Sequence, residues 1–334
     1  MDNNTITIQD VADALGISKT TVSRAISGKG RIGEATRKRV LKYIEEHNYR
    51  PSSLAKGLAQ SRTYNIGWVI PGDSGLKSLP FFQRCMSGVL DVAAAADYDL
   101  LISMIYEGNI SHLKRVVDNR KLDGLILART MTDDECIRYL SGTGLPFVVI
   151  GSTDEKGVIQ VDNDHVKACA ELTSILLMKG VDKLALIGCG DGMVVTKSRE
   201  EGFRRAFELQ NKKVDEDLVF ITGSEVLDIE VAVEDALIKG AECIVCMDDF
   251  ICSTALAKFK RDGVKVPEDV MIASFYNSPL LENNQPAITT LRYDPRGLGI
   301  TACQNLFKCI DGGDVSEKSM LGYEVLLKES TQKL

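Results

Sequence analysis

Seven short apolar runs recur between residues 65 and 275: "NIGWVIP", "YDLLISM", "DGLILA", "PFVVIG", "KLALIG", "ECIVCM" and "DVMIASF". Each is followed by a polar loop, and most by a stretch with helical spacing such as "FFQRCMSGVLDVAAAA" or "SREEGFRRAFELQ". Runs of this length with apolar residues at consecutive positions suit strands buried on both faces. Strands of that kind alternating with helices build parallel, doubly wound sheets. The runs are too many for one small sheet, so two α/β lobes are expected.

The first fifty residues follow a different rule. "TIQDVADALG" places Val11, Ala12 and Leu15 on one helical face, with Thr7 as N-cap and Gly16 as stop. Ser18 can cap a second helix, and "EATRKRVLKYIEEHNY" supplies a third, whose Val40, Leu41 and Ile44 form an apolar stripe. Two short helices around a tight turn, braced by a third, make a helix-turn-helix. Between this head and the lobes, "RPSSLAKGLAQSRTYN" reads as a linker holding a helix from Ser52 to Ala59. That helix is too short to persist alone in water, and Gly57 weakens it by about 1 kcal/mol relative to Ala. It should order only when something holds it.

Charge separates the same two parts. The formal net charge of -7 would disfavour a nucleic-acid partner, but residues 1 to 62 hold 11 basic against 6 acidic side chains. The remaining 272 residues hold 29 basic and 41 acidic. A basic head on an acidic body invites an anionic polymer at one end. The nine cysteines are odd in number and mostly embedded in apolar runs, as expected of reduced core thiols in a cytosolic protein. The N-terminus lacks the basic-then-apolar layout of an export signal, and no apolar run is long enough to span a bilayer.

On the helix "SKTTVSRAISG", stepping about 100° per residue, Lys19, Thr20, Ser23 and Arg24 share one arc and Thr21, Val22, Ala25 and Ile26 the other. One side packs while the other offers donors that reach guanine acceptors or phosphates, on side chains small enough to let the helix lie deep in a major groove. Elsewhere the chemical signals are weak. "GCGDG" lacks the third glycine of a dinucleotide loop, Cys243 and Cys246 have no second pair at zinc spacing, and His47, His112 and His165 are isolated. No nucleophile–base or metal constellation stands out, so an enzyme is not expected and no cofactor is implied.

The stretch "TIQDVADALGISKTTVSRAISGKGRIGEATRKRVLKYIEEHNYRPSSLAKGLA" resembles the head and hinge of the lactose/galactose repressor (LacI/GalR) family. It matches the pattern D-V-A, G-(V/I)-S-x-x-T-V-S-R, T-R-x-(R/K)-V and N-Y-x-P-(N/S)-x-x-A-x-x-L. Downstream, "PFFQ", "DGLIL", "VDND", "REEGFRRAF", "VPEDVMIASF" and "QPAITTLRYDPRGLG" stand in family order. The resemblance implies an all-α helix-turn-helix head at residues 1–50, a hinge at 51–62 and a ligand-binding, dimerising α/β domain at 63–334. That domain would consist of two Rossmann-like lobes similar to periplasmic binding proteins, lobe 1 at about 63–162 and 293–322, lobe 2 at about 163–292 and 323–334.

The resemblance also assigns roles. Lys19, Thr20 and Arg24 match base-reading positions, Ser18, Thr21 and Ser23 phosphate-facing ones, and Leu58 the side chain that wedges into the minor groove. Arg199, Asp249 and Phe82 match ligand contacts. Tyr276 stands where the family often carries an aspartate that binds sugar hydroxyls, and Asp248 precedes Asp249 where an asparagine is common. The first change removes an acceptor and adds an aromatic wall, which favours a larger, glycosidic or partly apolar ligand. The implied partners are double-stranded operator DNA, a small-molecule effector and a second copy of the chain, in the cytoplasm at the nucleoid, with no membrane. The function expected is a repressor under ligand control, with a solute-binding protein as the alternative. Whether ligand releases DNA or strengthens binding stays open.

Overall fold

The computed structural model describes residues 6–27, 30–47, 49, 61–72, 79–106, 108–190 and 192–332. The chain divides into two compact units, Met1–Thr63 and Tyr64–Leu334. The expected hinge helix, Leu58 included, lies outside the described residues.

The first unit holds α1 (Ile8–Leu15), α2 (Lys19–Ser27) and α3 (Glu34–Glu46). Thr7 opens α1 with a reciprocal capping box: its backbone N–H donates to Asp10 Oδ2 at 2.8 Å, and its hydroxyl accepts from the Asp10 N–H at 3.3 Å. Gly16 closes α1 at φ +63°, in the left-handed region. Val11, Ala12, Val22, Ala25, Val40 and Tyr49 form the core, flanked by the partly buried Ile44. Leu41 does not join the expected stripe and is 43% exposed. Val40 and Ile44 lie four residues apart on one face, whereas Leu41 sits about 100° round the helix, and a head this small has one core to offer. The third helix also stops at Glu46 rather than running through Tyr49. The Tyr49 N–H turns back to the Ile44 carbonyl at 3.0 Å and its ring enters the core.

The second unit contains two six-stranded sheets. β1 (Asn65–Pro71), β2 (Asp99–Ile105), β3 (Gly124–Leu127), β4 (Phe147–Ile150) and β5 (Ile159–Asn163) belong to the first. β6 (Leu184–Cys189), β7 (Val219–Thr222), β8 (Cys243–Cys246), β9 (Met271–Ser274) and β10 (Thr289–Arg292) belong to the second. β11 (Lys318–Leu321) then returns to the first sheet and β12 (Glu324–Leu326) to the second. The orders are β11-β5-β4-β3-β1-β2 and β12-β10-β9-β8-β6-β7. Every pairing is parallel except β12 with β10. The chain therefore passes between sheets after β5, after β10 and after β11.

In each sheet the order reverses beside the first strand, β1 or β6, and ligands of doubly wound folds lie at the carboxyl ends of strands at such a reversal. β2 departs from expectation: Leu101, Ile102 and Met104 are 37%, 55% and 37% exposed, because β2 is the edge of its sheet. The first lobe's core surrounds Trp68, with Cys85 and Val89 of the helix Leu79–Ala95 packed near Leu298 and Ala302 of the helix Pro295–Ile310. The second lobe's core is built around Phe203, Phe259 and Phe275. Among the described residues no helix is long and apolar enough to cross a membrane.

Candidate functional site

The head fixes α2 by one face. Val22 and Ala25 have no exposed surface and Ile26 packs at the core margin, whereas Lys19, Thr20, Ser23 and Arg24 are all exposed. Ser18 starts the helix, its hydroxyl accepting from the Thr21 N–H at 3.1 Å and bonding the Thr21 hydroxyl at 2.9 Å. Ser18 and Thr21 thus sit together at the helix start, Ser18 exposed and Thr21 half-buried. The Arg24 side chain lies against Gly30, where a Cβ would come within 3.2 Å of Arg24 Cδ. Nothing of this kind places Leu58, which lies outside the described residues.

In the second unit the four other candidates converge. Phe82 sits on the helix after β1 and is 7% exposed, and Arg199 is half-buried on the helix Val194–Leu209 after β6. Asp249 follows β8 and is 8% exposed; Tyr276 follows β9 and is 7% exposed. Burial raises the Tyr276 phenol above its ordinary range, the Asp249 charge raises it further, and the Arg84 and Arg199 charges oppose. Tyr276 therefore stays a neutral hydroxyl within electrostatic reach of all three. Phe81 connects Phe82 to it: the Phe81 ring meets Phe82 edge-on at 5.4 Å and Tyr276 edge-on at 6.0 Å. Because Phe82 belongs to the first lobe's core and Tyr276 to the second's, Phe81 bridges the lobes.

The aspartate that caps the helix Asp249–Asp262 is Asp248, accepting from the Ile251 N–H at 2.8 Å. Burial raises the Asp248 carboxyl, while that bond and Arg199 pull it down. The Asp249 carboxylate is left without a hydrogen bond to a described residue. The helix cap is therefore Asp248 and not Asp249.

Some of the cleft was invisible in the sequence. Tyr293, just past β10, lies 6.4 Å from Tyr276 with the rings 14° from parallel, and His165 packs edge-on against it at 5.1 Å. His165 is not isolated: its Nε2 lies 3.3 Å from Asp162 Oδ1, so the pair spans the crossing after β5. Burial alone would raise the Asp162 carboxyl, but hydrogen bonds from His165, Ser152 and the Asn163 N–H hold it below the usual range. Asn163 Oδ1, His165 Nδ1 and Arg199 Nε are buried without a hydrogen-bond partner among the described residues. Such an atom costs about 1–3 kcal/mol unless something pairs with it. Met131 and Met193 form an antiparallel bridge between lobes, with Thr132 N–H to Gly192 O at 2.8 Å and Val194 N–H to Thr130 O at 3.3 Å. A signal for Tyr293 existed in "LRYDP", one residue past the strand, but β10 is too short to stand out as an apolar run.

Residues 7–52 match the model for bacterial regulatory proteins of the lacI family, and residues 173–331 the model for a periplasmic binding protein-like domain. The chain is 28% identical over 332 residues to the HTH-type transcriptional regulator RegA of Clostridium saccharobutylicum, covering 97% of this chain and 98% of the relative. It is 32% identical over 218 residues to the HTH-type transcriptional regulator MalR of Streptococcus pneumoniae, covering 64% of this chain and 66% of the relative. Among solved structures, the lac repressor dimer bound to operator and the anti-inducer ONPF has the same fold, with a TM-score of 0.85 at 19% identity, covering 99% of this chain and 100% of that one. With a helix-turn-helix head, a two-lobed domain of parallel sheets and regulators rather than enzymes as its relatives, the chain belongs to the LacI family and is a DNA-binding transcriptional regulator.

Proposed function

We propose that the protein represses transcription as a homodimer on a two-fold operator, and that a small polyhydroxylated ligand between the lobes, a glycoside or related metabolite, sets its operator affinity. The observation that carries the DNA half is α2, buried along Val22 and Ala25 and exposed along Lys19, Thr20, Ser23 and Arg24. In this reading Lys19, Thr20 and Arg24 read bases in the major groove, and Ser18, Thr21 and Ser23 meet phosphates. Residues 51–62 act as the hinge, and Leu58 enters the minor groove when DNA orders it. One such head reads only a few base pairs, so a pair of heads on a palindrome is the economical arrangement. The apolar edge of the first sheet at Ile102 and Tyr106, 55% and 54% exposed, with Leu90 of the helix Leu79–Ala95 at 44%, is the surface a second copy would cover.

The ligand half rests on the convergence of Arg199, Asp249, Phe82 and Tyr276 between lobes, beside buried polar atoms that want partners. A ring with an apolar face meets the aromatic side chains while its hydroxyls pair with Arg199, Asp249 and Asn163. Closing the lobes on it moves the surfaces that lead to the hinges and so changes DNA affinity. The regulator would work in the cytoplasm at the nucleoid.

A thermal-shift screen of sugars and glycosides followed by fluorescence anisotropy on operator DNA tests this. A ligand that binds the protein but leaves operator affinity unchanged refutes the coupling. Weaker DNA binding identifies an inducer, tighter binding a co-repressor. Asp249→Ala should abolish the response and leave DNA binding intact.

A further inference from the structure

A cavity of about 780 Å³ opens beside two of the interlobe crossings. None of Phe82, Arg199, Asp249 and Tyr276 lines it. Its walls come from the helix Leu79–Ala95, from the crossing Arg292–Arg296 and from the crossing Gly322–Glu324. Tyr293 lines the cavity while also stacking toward Tyr276 of the candidate ligand site.

The charges lining this cavity are unevenly committed. The Arg292 guanidinium pairs with Glu324, and Arg296 pairs with Asp91 at 2.6 Å. Asp294 Oδ1 accepts the Gly297 N–H at 2.9 Å, capping the helix Pro295–Ile310. Arg84, exposed on the wall, makes no ion pair or hydrogen bond with any described residue. Glu324 balances Arg292 and Asp91 balances Arg296, so the charges left on the lining are Asp294, which caps its helix, and Arg84, the lining cation with no ion pair among the described residues. A guanidinium fork matches one carboxylate through two parallel hydrogen bonds. A dianion would overfill the site and face Asp294 and Glu324. Gln83 and Ser87 provide hydroxyl partners, and Tyr323 an apolar wall.

We propose that this cavity is a binding site, separate from the interlobe cleft, for a small hydroxylated monocarboxylate of the sugar-acid class, held through Arg84. Its occupant touches the first lobe and both crossing segments at once, so binding there bears on the angle between lobes independently of the ligand in the cleft.

Calorimetric titration of the full chain with glucuronate tests the assignment, with glucose and glucose 6-phosphate as comparison probes. Saturable glucuronate binding at least ten-fold tighter than either comparison supports it. Arg84→Ala should weaken glucuronate by ten-fold or more, Arg84→Lys should retain part of the affinity as a charge without a fork, and the distant surface variant Arg205→Ala should match the parent. An unchanged Trp68 emission spectrum and melting temperature in the Arg84 variants show that the lobe is folded. No saturable glucuronate binding, equal binding of glucose, tighter binding of the phosphate ester, or glucuronate affinity indifferent to Arg84→Ala each overturns the proposal. Loss of glucuronate binding in Asp249→Ala would move the acid into the main cleft and overturn it too.

Discussion

Gly299→Ala should unpack the first lobe without altering the chemistry of any charged or site-lining side chain. Gly299 lies in the helix Pro295–Ile310 where it crosses the helix Leu79–Ala95, and a Cβ there would stand 1.9 Å from the Cys85 carbonyl oxygen and 3.1 Å from the Val89 nitrogen. Gly88 makes the reciprocal approach, its Cβ position 2.1 Å from the Arg296 carbonyl oxygen. Both obstacles are backbone, so no side chain can swing aside, and the helices must part by about 1 Å before the methyl clears. Alanine returns about 1 kcal/mol of helix propensity, while overpacking of this kind costs about 1–3 kcal/mol and falls at the upper end when backbone opposes backbone. The expected net loss is about 2 kcal/mol, which for a lobe of this size lowers Tm by about 5 °C.

Trp68, the single tryptophan, is fully buried in the same core cluster as Cys85 and Val89, so its fluorescence reports unfolding of this lobe. The comparison variant is Gly142→Ala, whose Cβ would meet nothing nearer than the Tyr139 carbonyl oxygen at 3.5 Å. Urea titrations of both variants decide the matter. If Gly299→Ala is as stable as Gly142→Ala, the close crossing is not what holds these helices, and the reasoning fails.

Arg24→Ala should weaken operator binding by about 1–3 kcal/mol with relaxed discrimination at one base position; a uniform loss across DNA sequences, seen by anisotropy on operator variants, would assign Arg24 to phosphate instead. Thr7→Ala removes the hydroxyl that accepts from the Asp10 N–H while keeping the backbone N–H that donates to Asp10 Oδ2, and should cost the head about 1 kcal/mol, measurable as a lower helix melting midpoint. Burial pushes the Cys303 thiol up to about 12. A group whose pKa is raised by folding stabilises fully below its unfolded value, about 8.5 for a thiol. That stability is lost as pH rises toward the folded value, by about 1.4 kcal/mol per pH unit. Urea titrations at about pH 9 and about pH 10.5 should therefore show a shallower alkaline loss in Cys303→Ala than in the parent; equal slopes would mean that the thiol ionises in the folded chain.

The head was largely legible because its determinants are local. Thr7, Asp10 and Gly16 set the ends of α1 through contacts three or four residues apart, and the two arcs of α2 follow from helical period alone. Leu41 was misplaced because three apolar residues suggested one stripe while the small core had room for two of them. In the lobes, the seven apolar runs correspond to β1 to β4, β6, β8 and β9, which carry enough consecutive apolar residues to be seen. β5, β7, β10, β11 and β12 did not stand out: "IQVDN", "VFIT", "TTLR", "KSML" and "EVL" are short, polar or half-exposed, and become strands because a neighbouring strand presents an unpaired edge.

What the sequence determined by itself is therefore the kind of element at each place where local capping and periodicity suffice, and the side of α2 that faces outward. Only the tertiary structure decided what meets across the crossings: Phe81 against Tyr276, Tyr293 between Tyr276 and the cavity beside the crossings, His165 on Asp162, and Arg84 on that cavity's wall with no ion pair among the described residues. These pairs lie far apart in sequence or on opposite sides of a crossing, so no local period encodes them. They follow from the order in which two twisted sheets stack their strands and from the three passages that carry the chain between them.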